Sequence, residues 1–307
     1  MRAITVRSYG GPRQAQVVET EVPVPGPGEV RVRNQAVAVH PADTAVRSGL
    51  LGPLLGEPPF RLGWDTAGTV DALGAGVAGF AVGDRVLGLS HWFATRNGTH
   101  ADFAVLPADR LAPAPDGLPA TVAAALPLNG LAALQGVDLT GLTGGDTLVV
   151  TGAAGSLGHL AVQFALARGL RVLAVAGPHD REELTSLGAE FVERGEHLAA
   201  ALRRVAPAGA DAVLDAAGIG APLSAALRDG GRFVAVRPPA APEPERGIEV
   251  VVLNVVPDAA ALAELAAMAA DGRLDVRIDS VHPFEAAADA HARLDGGGTR
   301  GAVVLAL

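Results

Sequence analysis

Gly145-Asp146-Thr147-Leu148-Val149-Val150-Thr151-Gly152-Ala153-Ala154-Gly155-Ser156-Leu157-Gly158 is the stretch that decides the fold. Leu148, Val149 and Val150 make a short apolar run of the kind that fills a buried parallel strand. Thr151 to Gly158 is then a tight turn of small residues. His159 to Gly169 follows with helical spacing: Leu160, Phe164 and Ala167 share one face, and Gly169 stands at the C-terminal stop. Arg171–Val175 supplies a second strand. Strand, glycine turn, helix and strand make a βαβ unit, and the turn sits where a dinucleotide pyrophosphate would rest. Residues without side-chain bulk let the backbone approach phosphate oxygens, while the helix N-terminus offers free N–H groups and a partial positive charge. Ala153-x-Gly155-x-x-Gly158 is the dinucleotide fingerprint with alanine at its first position. The alternative is a turn whose small residues serve packing alone.

Downstream and upstream of this unit the texture differs. From about Thr121, alanine-rich helices (Ala120–Leu139, Ser156–Arg168, Arg181–Leu187, His197–Val205, Pro222–Leu227) alternate with short strands. The strands are Leu148–Val150, Val172–Val175, Phe191–Val192, Ala212–Leu214 and Arg232–Val236. That alternation predicts a doubly wound parallel sheet, an α/β Rossmann domain over residues 121–272. Asp258–Ala270 is a further helix. Residues 1–120 look all-β: apolar runs at Ile4–Val6, Glu29–Arg33, Gly68–Val70 and Arg85–Leu89 alternate with Pro/Gly-dense turns. Val30 and Val32 alternate with Arg31 and Arg33, which predicts a strand with one wet face. A compact barrel-like domain fits that density of apolar residues. Residues 273–307 return to strands around a helix at Phe284–Leu294 and are expected to rejoin it.

Composition narrows the function classes. The chain has 307 residues, 49% of them hydrophobic, so a large core is easily built. It has no cysteine, which excludes disulfides, thiolate catalysis and cysteine-ligated zinc. A net charge of −9 and the absence of any lysine argue against a nucleic-acid partner. No apolar stretch reaches membrane-spanning length, and Met1–Val6 reads as a strand rather than a leader. A cytoplasmic protein acting on a small molecule, away from nucleic acid and membrane, is expected.

Seven pieces in order carry a resemblance along the whole chain. They are Pro25-x-Pro27-Gly28-Glu29-Val30, Val39-His40-Pro41-Ala42-Asp43, Leu62-Gly63-Trp64-Asp65-Thr66-Ala67-Gly68-Thr69-Val70 and Val82-Gly83-Asp84-Arg85-Val86. Ala125-Leu126-Pro127-Leu128-Asn129-Gly130-Leu131, the Gly152–Gly158 turn and Gly296-Gly297-Gly298-Thr299-Arg300-Gly301 complete the set. Together they resemble the zinc-independent medium-chain dehydrogenase/reductases, in the quinone oxidoreductase (zeta-crystallin-like) branch. The resemblance implies a GroES-like β-barrel catalytic domain beside the Rossmann domain, an active site in the cleft between them, and NADPH as cofactor. It also implies hydride transfer to a quinone or to the C=C of an α,β-unsaturated carbonyl. Three positions depart from the family pattern. His40 stands where asparagine is common, Ala132 where a threonine often follows Gly-Leu, and Gly301-Ala302 replaces the usual Gly-Lys.

Candidate site residues follow from these matches. Zinc-dependent alcohol dehydrogenases share the architecture, but here His40 falls at their first cysteine ligand and Trp64 at a histidine ligand, so no metal site is expected. His40 is the first candidate for a proton donor, since an imidazole pKa of ~6.5 suits delivery near neutrality; a neutral histidine that only hydrogen-bonds is the alternative. Asp43 is expected to brace its loop. Asn129 stands either as an amide donor to substrate or cofactor or as a packing residue. Ser90-His91-Trp92-Phe93 is expected on a loop over the cleft, where it would line an apolar pocket with Leu50, Leu51 and Trp64; ordinary hydrophobic burial is the alternative, preferred for Trp64 and Phe93 individually.

The cofactor set is Gly152, Ala153, Ala154, Gly155, Ser156, Leu157 and Gly158, with Gly177, Arg181, Arg194, Ala217 and Gly218. No acid ends the second Rossmann strand, and Arg181 falls where the family's phosphate-binding lysine lies, which favours NADPH over NADH. Pro178 replaces the expected serine, and Asp180 can also be read as a displaced ribose ligand. Ile248–Leu253 is expected to be an edge strand that pairs across a two-fold axis, giving a homodimer. Two other functions remain open: an enoyl-thioester reductase, and a non-catalytic NADPH-binding scaffold or sensor. Short-chain dehydrogenases are rejected, because they need a Tyr-x-x-x-Lys pair and Tyr9 is the only tyrosine.

Overall fold

Val30 and Val32 turn into the core while Arg31 and Arg33 turn outward onto Asp71 and the Phe103 ring, so the wet-faced strand is real. It belongs to the first of two units in a computed structural model that describes residues 1–307. In chain order this unit runs β1 (Arg2–Val6), β2 (Gln16–Glu19), β3 (Glu29–Val39), α1 (Pro41–Ser48), α2 (Gly52–Leu55), β4 (Phe60–Arg61) and β5 (Asp65–Leu73). It continues with β6 (Arg85–Leu89), α3 (Trp92–Thr95), β7 (Phe103–Pro107), β8 (Leu111–Pro113), α4 (Ala120–Ala125) and the start of α5 (Pro127–Leu139), whose residues from Ala132 on belong to the second unit. Pro127 divides the single helix that the sequence suggests, because its ring cannot sit inside a continuous helix.

The second unit holds β9 (Thr147–Thr151), α6 (Ser156–Ala167), β10 (Arg171–Ala176), α7 (Arg181–Ser186), β11 (Glu190–Glu193) and α8 (Leu198–Val205), then β12 (Ala210–Asp215), β13 (Leu227–Ala235) and β14 (Glu249–Val252). The chain then returns to the first unit with α9 (Ala259–Ala270), β15 (Ile278–Pro283), α10 (Ala287–Asp295) and β16 (Ala302–Ala306). There β16 lies antiparallel on β3, with Val303 opposite Val39 and Leu305 opposite Val37.

The units divide at 131/132 and 256/257, not at 120/121 and 272/273. Alanine-rich texture marks helix, but not which core the helix joins. α4 buries Ala123, Ala124 and Ala125 against β3 and β5, and α9 packs on β8, so both helices belong with the β-rich unit.

In the first unit a seven-stranded sheet runs β15-β16-β3-β5-β6-β8, with β7 also on β3, and a three-stranded sheet runs β2-β1-β4. Val30, Val32, Val70, Val86, Ala104, Leu106 and Leu111 form one core between strands. In the second unit all six strands are parallel, in the order β11-β10-β9-β12-β13-β14. Counted from β9, that is 3-2-1-4-5-6, the dinucleotide-binding order, whose reversal falls between β9 and β12. β9 is buried at every residue, as a strand covered on both faces must be. Leu160 and Phe164 on α6 pack inward, whereas Ala167 is exposed, because the last turn has run past the sheet. Gly169 ends the helix at φ +74°, as its position predicts.

One buried group sets an acid limit. His291 on α10 is fully buried, and burial, reinforced by the nearby His100 and the Arg47 guanidinium, drops its pKa to about 3. The unfolded chain takes up that proton near pH 6.5, the folded chain only near 3. Acidification through this window therefore pulls the equilibrium toward unfolding. Urea midpoints are expected to hold above pH 6.5 and to fall steadily between 6 and 4. His291→Leu should flatten part of that slope.

Candidate active site

At the carboxyl end of β9 the backbone turns through Gly152 at φ +61° and enters α6 with Gly155 as its N-cap. Gly158 fixes the closeness of the turn to the helix. A Cβ there would overlap the Gly152 carbonyl oxygen and lie 2.7 Å from its carbonyl carbon. The first turn of α6 can thus lie flat on the loop, with its free N–H groups open to an anion. Ser156, at the first helical position, has a buried hydroxyl with no partner in the protein, an oxygen placed to bond a phosphate. The cradle fits a dinucleotide diphosphate.

A buried carboxylate that sequence reasoning missed holds the neighbouring loop. Asp215, ending β12 opposite Thr151, accepts the Thr151 hydroxyl at 2.6 Å and the N–H groups of Gly218 at 3.1 Å and Gly220 at 2.8 Å. Thr151 in turn accepts the Ala217 N–H at 3.0 Å. Ala217 consequently sits against Gly152, where an added Cβ would meet it at 3.4–3.5 Å. The sequence signal was there: two adjacent buried strands each end in a lone polar residue, Thr151 and Asp215.

Beyond β10, Gly177 is flanked by Arg194 Nη2 and Asp180 Oδ2, each 3.6 Å from a would-be Cβ. Arg181 stacks over the Phe191 ring at 4.3 Å and lies 3.6 Å from Glu193. Two guanidinium groups thus stand near the end of β10, where no acid ends the strand. Asp180 is buried, and Arg181 is exposed.

The first unit supplies a proton-holding pair. His40 precedes α1, and its backbone N–H bonds Asp43 Oδ2 at 2.8 Å, so Asp43 braces the loop as expected. Asp43 Oδ1 takes the Gly63 N–H at 2.9 Å. Gly63 is required there: its φ is +107°, and a Cβ would run into Thr99 and the His100 backbone. The next residues place Asp65 inside, and His40 Nε2 meets Asp65 Oδ2 at 2.7 Å, both side chains almost fully buried. Asp65 Oδ1 accepts the Leu128 N–H at 3.0 Å, from the first turn of α5. Burial alone would lower the imidazole pKa, but the Asp65 carboxylate, with Asp43 nearby, outweighs it and holds His40 above its usual value. Burial raises Asp65 by more than His40 offsets. The pair keeps a proton beyond the pH at which a free imidazole releases it.

Asp65 stands in the sequence as an acid among apolar neighbours, which is the one signal of its role. Asn129 sits one residue from the contact without joining it. Its amide donates at 3.1 Å to the carbonyl of Ala125, the last residue of α4, which favours the packing role.

The expected aromatic lining needs correction. Trp92 is not on an open loop but on α3, fully buried, with its indole N–H bonded to Arg61 O at 2.6 Å. It stacks at 5.0 Å on Trp64, itself buried, so both are core, as large rings are when neighbouring apolar surface is available. His91 and Phe93 remain exposed, and Leu50 is 68% exposed.

Residues 26–116 match the alcohol dehydrogenase GroES-like domain, and residues 187–305 match a model described as zinc-binding dehydrogenase. Zinc does not fit the His40 position: a site needs three or four ligands, His40 and Asp65 satisfy one another, and Trp64 offers none. A chloroplast envelope quinone oxidoreductase homolog of Arabidopsis thaliana is 32% identical, over 99% of this chain and 98% of its own. Further curated matches, a 2-haloacrylate reductase among them, align over little more than half of their own length. Among solved structures, an NAD-dependent alcohol dehydrogenase superposes with a TM-score of 0.87 at 34% identity, covering 100% of both chains. A mycobacterial protein solved in complex with NADPH gives 0.86 at 29%, again covering 100% of both. The α/β architecture, GroES-like unit plus Rossmann unit, is thus the one these proteins share.

Proposed function

Because the chain belongs to the quinone oxidoreductase family of medium-chain dehydrogenase/reductases, we propose that it is an NADPH-dependent, zinc-free reductase of quinones or of the C=C of α,β-unsaturated carbonyl compounds. The observation that carries this reading is the Gly152–Gly158 cradle, with the unpartnered Ser156 hydroxyl at the helix start. Ala153, Ala154 and Leu157 bring no charge to the turn, and Ala217 lies against Gly152, with Gly218 next to it in the loop that Asp215 holds. When bound, the dihydronicotinamide supplies a hydride. The chain's own contribution is then a proton and a donor for the substrate oxygen, on which negative charge develops. His40 holds that proton, and Asp65 orients the ring through Nε2.

Relatives differ in the cofactor their names carry, so the choice rests on this chain's cations. Arg181 and Arg194 suit a 2′-phosphate, which a guanidinium binds as a fork. Arg181→Ala is expected to raise the Kd for NADPH about 10-fold, one charge-assisted contact's worth, while leaving NADH binding unchanged. Fluorescence titration with both cofactors checks it; an unaltered NADPH preference removes Arg181 from the site. The reaction itself is tested by following cofactor oxidation against quinones, enals and enones. Failure with every acceptor despite tight NADPH binding would leave the scaffold reading.

β14, carrying Val252 exposed at the sheet edge, is the surface we assign to a homodimer. A monomer mass by light scattering would remove it.

A further inference from the structure

A second cluster of buried polar groups in the first unit takes no part in the chemistry above. Arg47, on α1, donates from Nη1 to Gly10 O at 2.7 Å and from Nη2 to Asp295 Oδ2 at 2.6 Å, yet its buried Nε–H has no acceptor. His100 donates from Nε2 to Ala38 O at 2.9 Å, a contact only an N–H can make. Its Nδ1 is buried and unbonded, and it faces Asp43 Oδ1 across 3.9 Å, too far apart for a direct hydrogen bond. His291, within charge range of both His100 and Arg47, has neither ring nitrogen bonded. Four orphaned atoms on three fully buried side chains is a concentration that folded proteins do not leave unsatisfied, since about nine-tenths of such groups find a partner.

We infer that this cluster is an internal water-binding site, with one water bridging His100 Nδ1 and Asp43 Oδ1 and the network continuing to Arg47 Nε and His291. The chemistry selects the ligand. It must bond both His100 Nδ1 and the Asp43 carboxylate, donating to the latter, while a further member of the network accepts from the Arg47 Nε–H. A cation would be repelled by the Arg47 guanidinium, and an anion by Asp43. A molecule seated beside the line joining two atoms 3.9 Å apart reaches both at normal hydrogen-bond length. Water alone among small neutral species offers two donors and two acceptors in that space, and buried waters of this kind make about three hydrogen bonds. The site joins α1, the loop residue His100 before β7, and α10. It therefore fixes the helix whose first turn braces His40, and it does so independently of whatever cofactor the other unit takes.

A crystal structure at a resolution that shows waters tests this directly. The expected result is a density peak about 2.6–3.2 Å from both His100 Nδ1 and Asp43 Oδ1. A dry site, or His100 closed onto Asp43 at direct hydrogen-bond distance, overturns the inference. His291→Leu gives an independent sign test by thermal unfolding at pH 7.5. If the site is hydrated, the variant strands a water, and Tm should fall by several degrees. If it is dry, leucine removes two unsatisfied nitrogens and Tm should hold or rise, which also overturns it.

Discussion

Gly158→Ala is expected to cost the protein its cofactor. The added methyl would occupy the space of the Gly152 carbonyl, and neither partner is a flexible side chain that can swing away. α6 would have to retreat from the turn by about 1 Å, a displacement that by itself costs on the order of 100-fold where groups must meet precisely placed oxygens. We expect the Kd for NADPH to rise by about that factor, with an overpacking penalty of about 3 kcal/mol in urea unfolding. Gly145→Ala is the control. It carries a positive φ of +94° but has nothing within 4 Å of a new Cβ, so it should lose about 1 kcal/mol of stability and no affinity. Tight NADPH binding by a folded Gly158→Ala protein would mean the dinucleotide does not lie on this turn.

His40→Ala should lower kcat by about 100-fold or more, the range of a lost general acid, with cofactor affinity unchanged. Asp65→Asn is the more telling variant, because asparagine still offers an oxygen to the Leu128 N–H and only the charge is removed. With Asp65 the pair holds its proton beyond the pH at which a free imidazole releases it, so the native rate should decline as pH rises through the raised His40 value. Without the Asp65 carboxylate, burial is opposed only by the weaker pull of Asp43, and the proton is lost at lower pH than in the native protein. The pH profile of kcat should therefore shift to lower pH in Asp65→Asn while KM stays put. Identical profiles for the two proteins would reduce His40 to a helix-cap residue.

The nucleotide unit was legible because its rules are local. A buried run, small residues at fixed offsets and a helix stop at Gly169 each state one conformational demand, and all of them agree. Ala167 was misread because a 3.6-residue period cannot say where the sheet beneath the helix ends. The unit boundaries failed for a related reason: α4 and α9 look like Rossmann helices in composition, and only the face they bury tells whose core they complete. At the site, the residues that sequence position could name were found, while those defined by contact were missed. His40 was visible as an odd residue in a familiar stretch. Its partner Asp65, and the Asp215 hub under the cofactor loop, depend on strands coming side by side. Trp92 was placed at the rim because aromatic residues after a strand suggest a loop; the stacking with Trp64 that draws it inward lies outside any sequence window.

Asp215 also sets how this protein can be modified by exchange of parts. One carboxylate anchors both the hydroxyl that ends β9 and the amides of the loop after β12. A designer who swaps either segment from a relative, to change coenzyme preference, would leave the other without its tether. The transferable module is the pair of segments together with the aspartate between them.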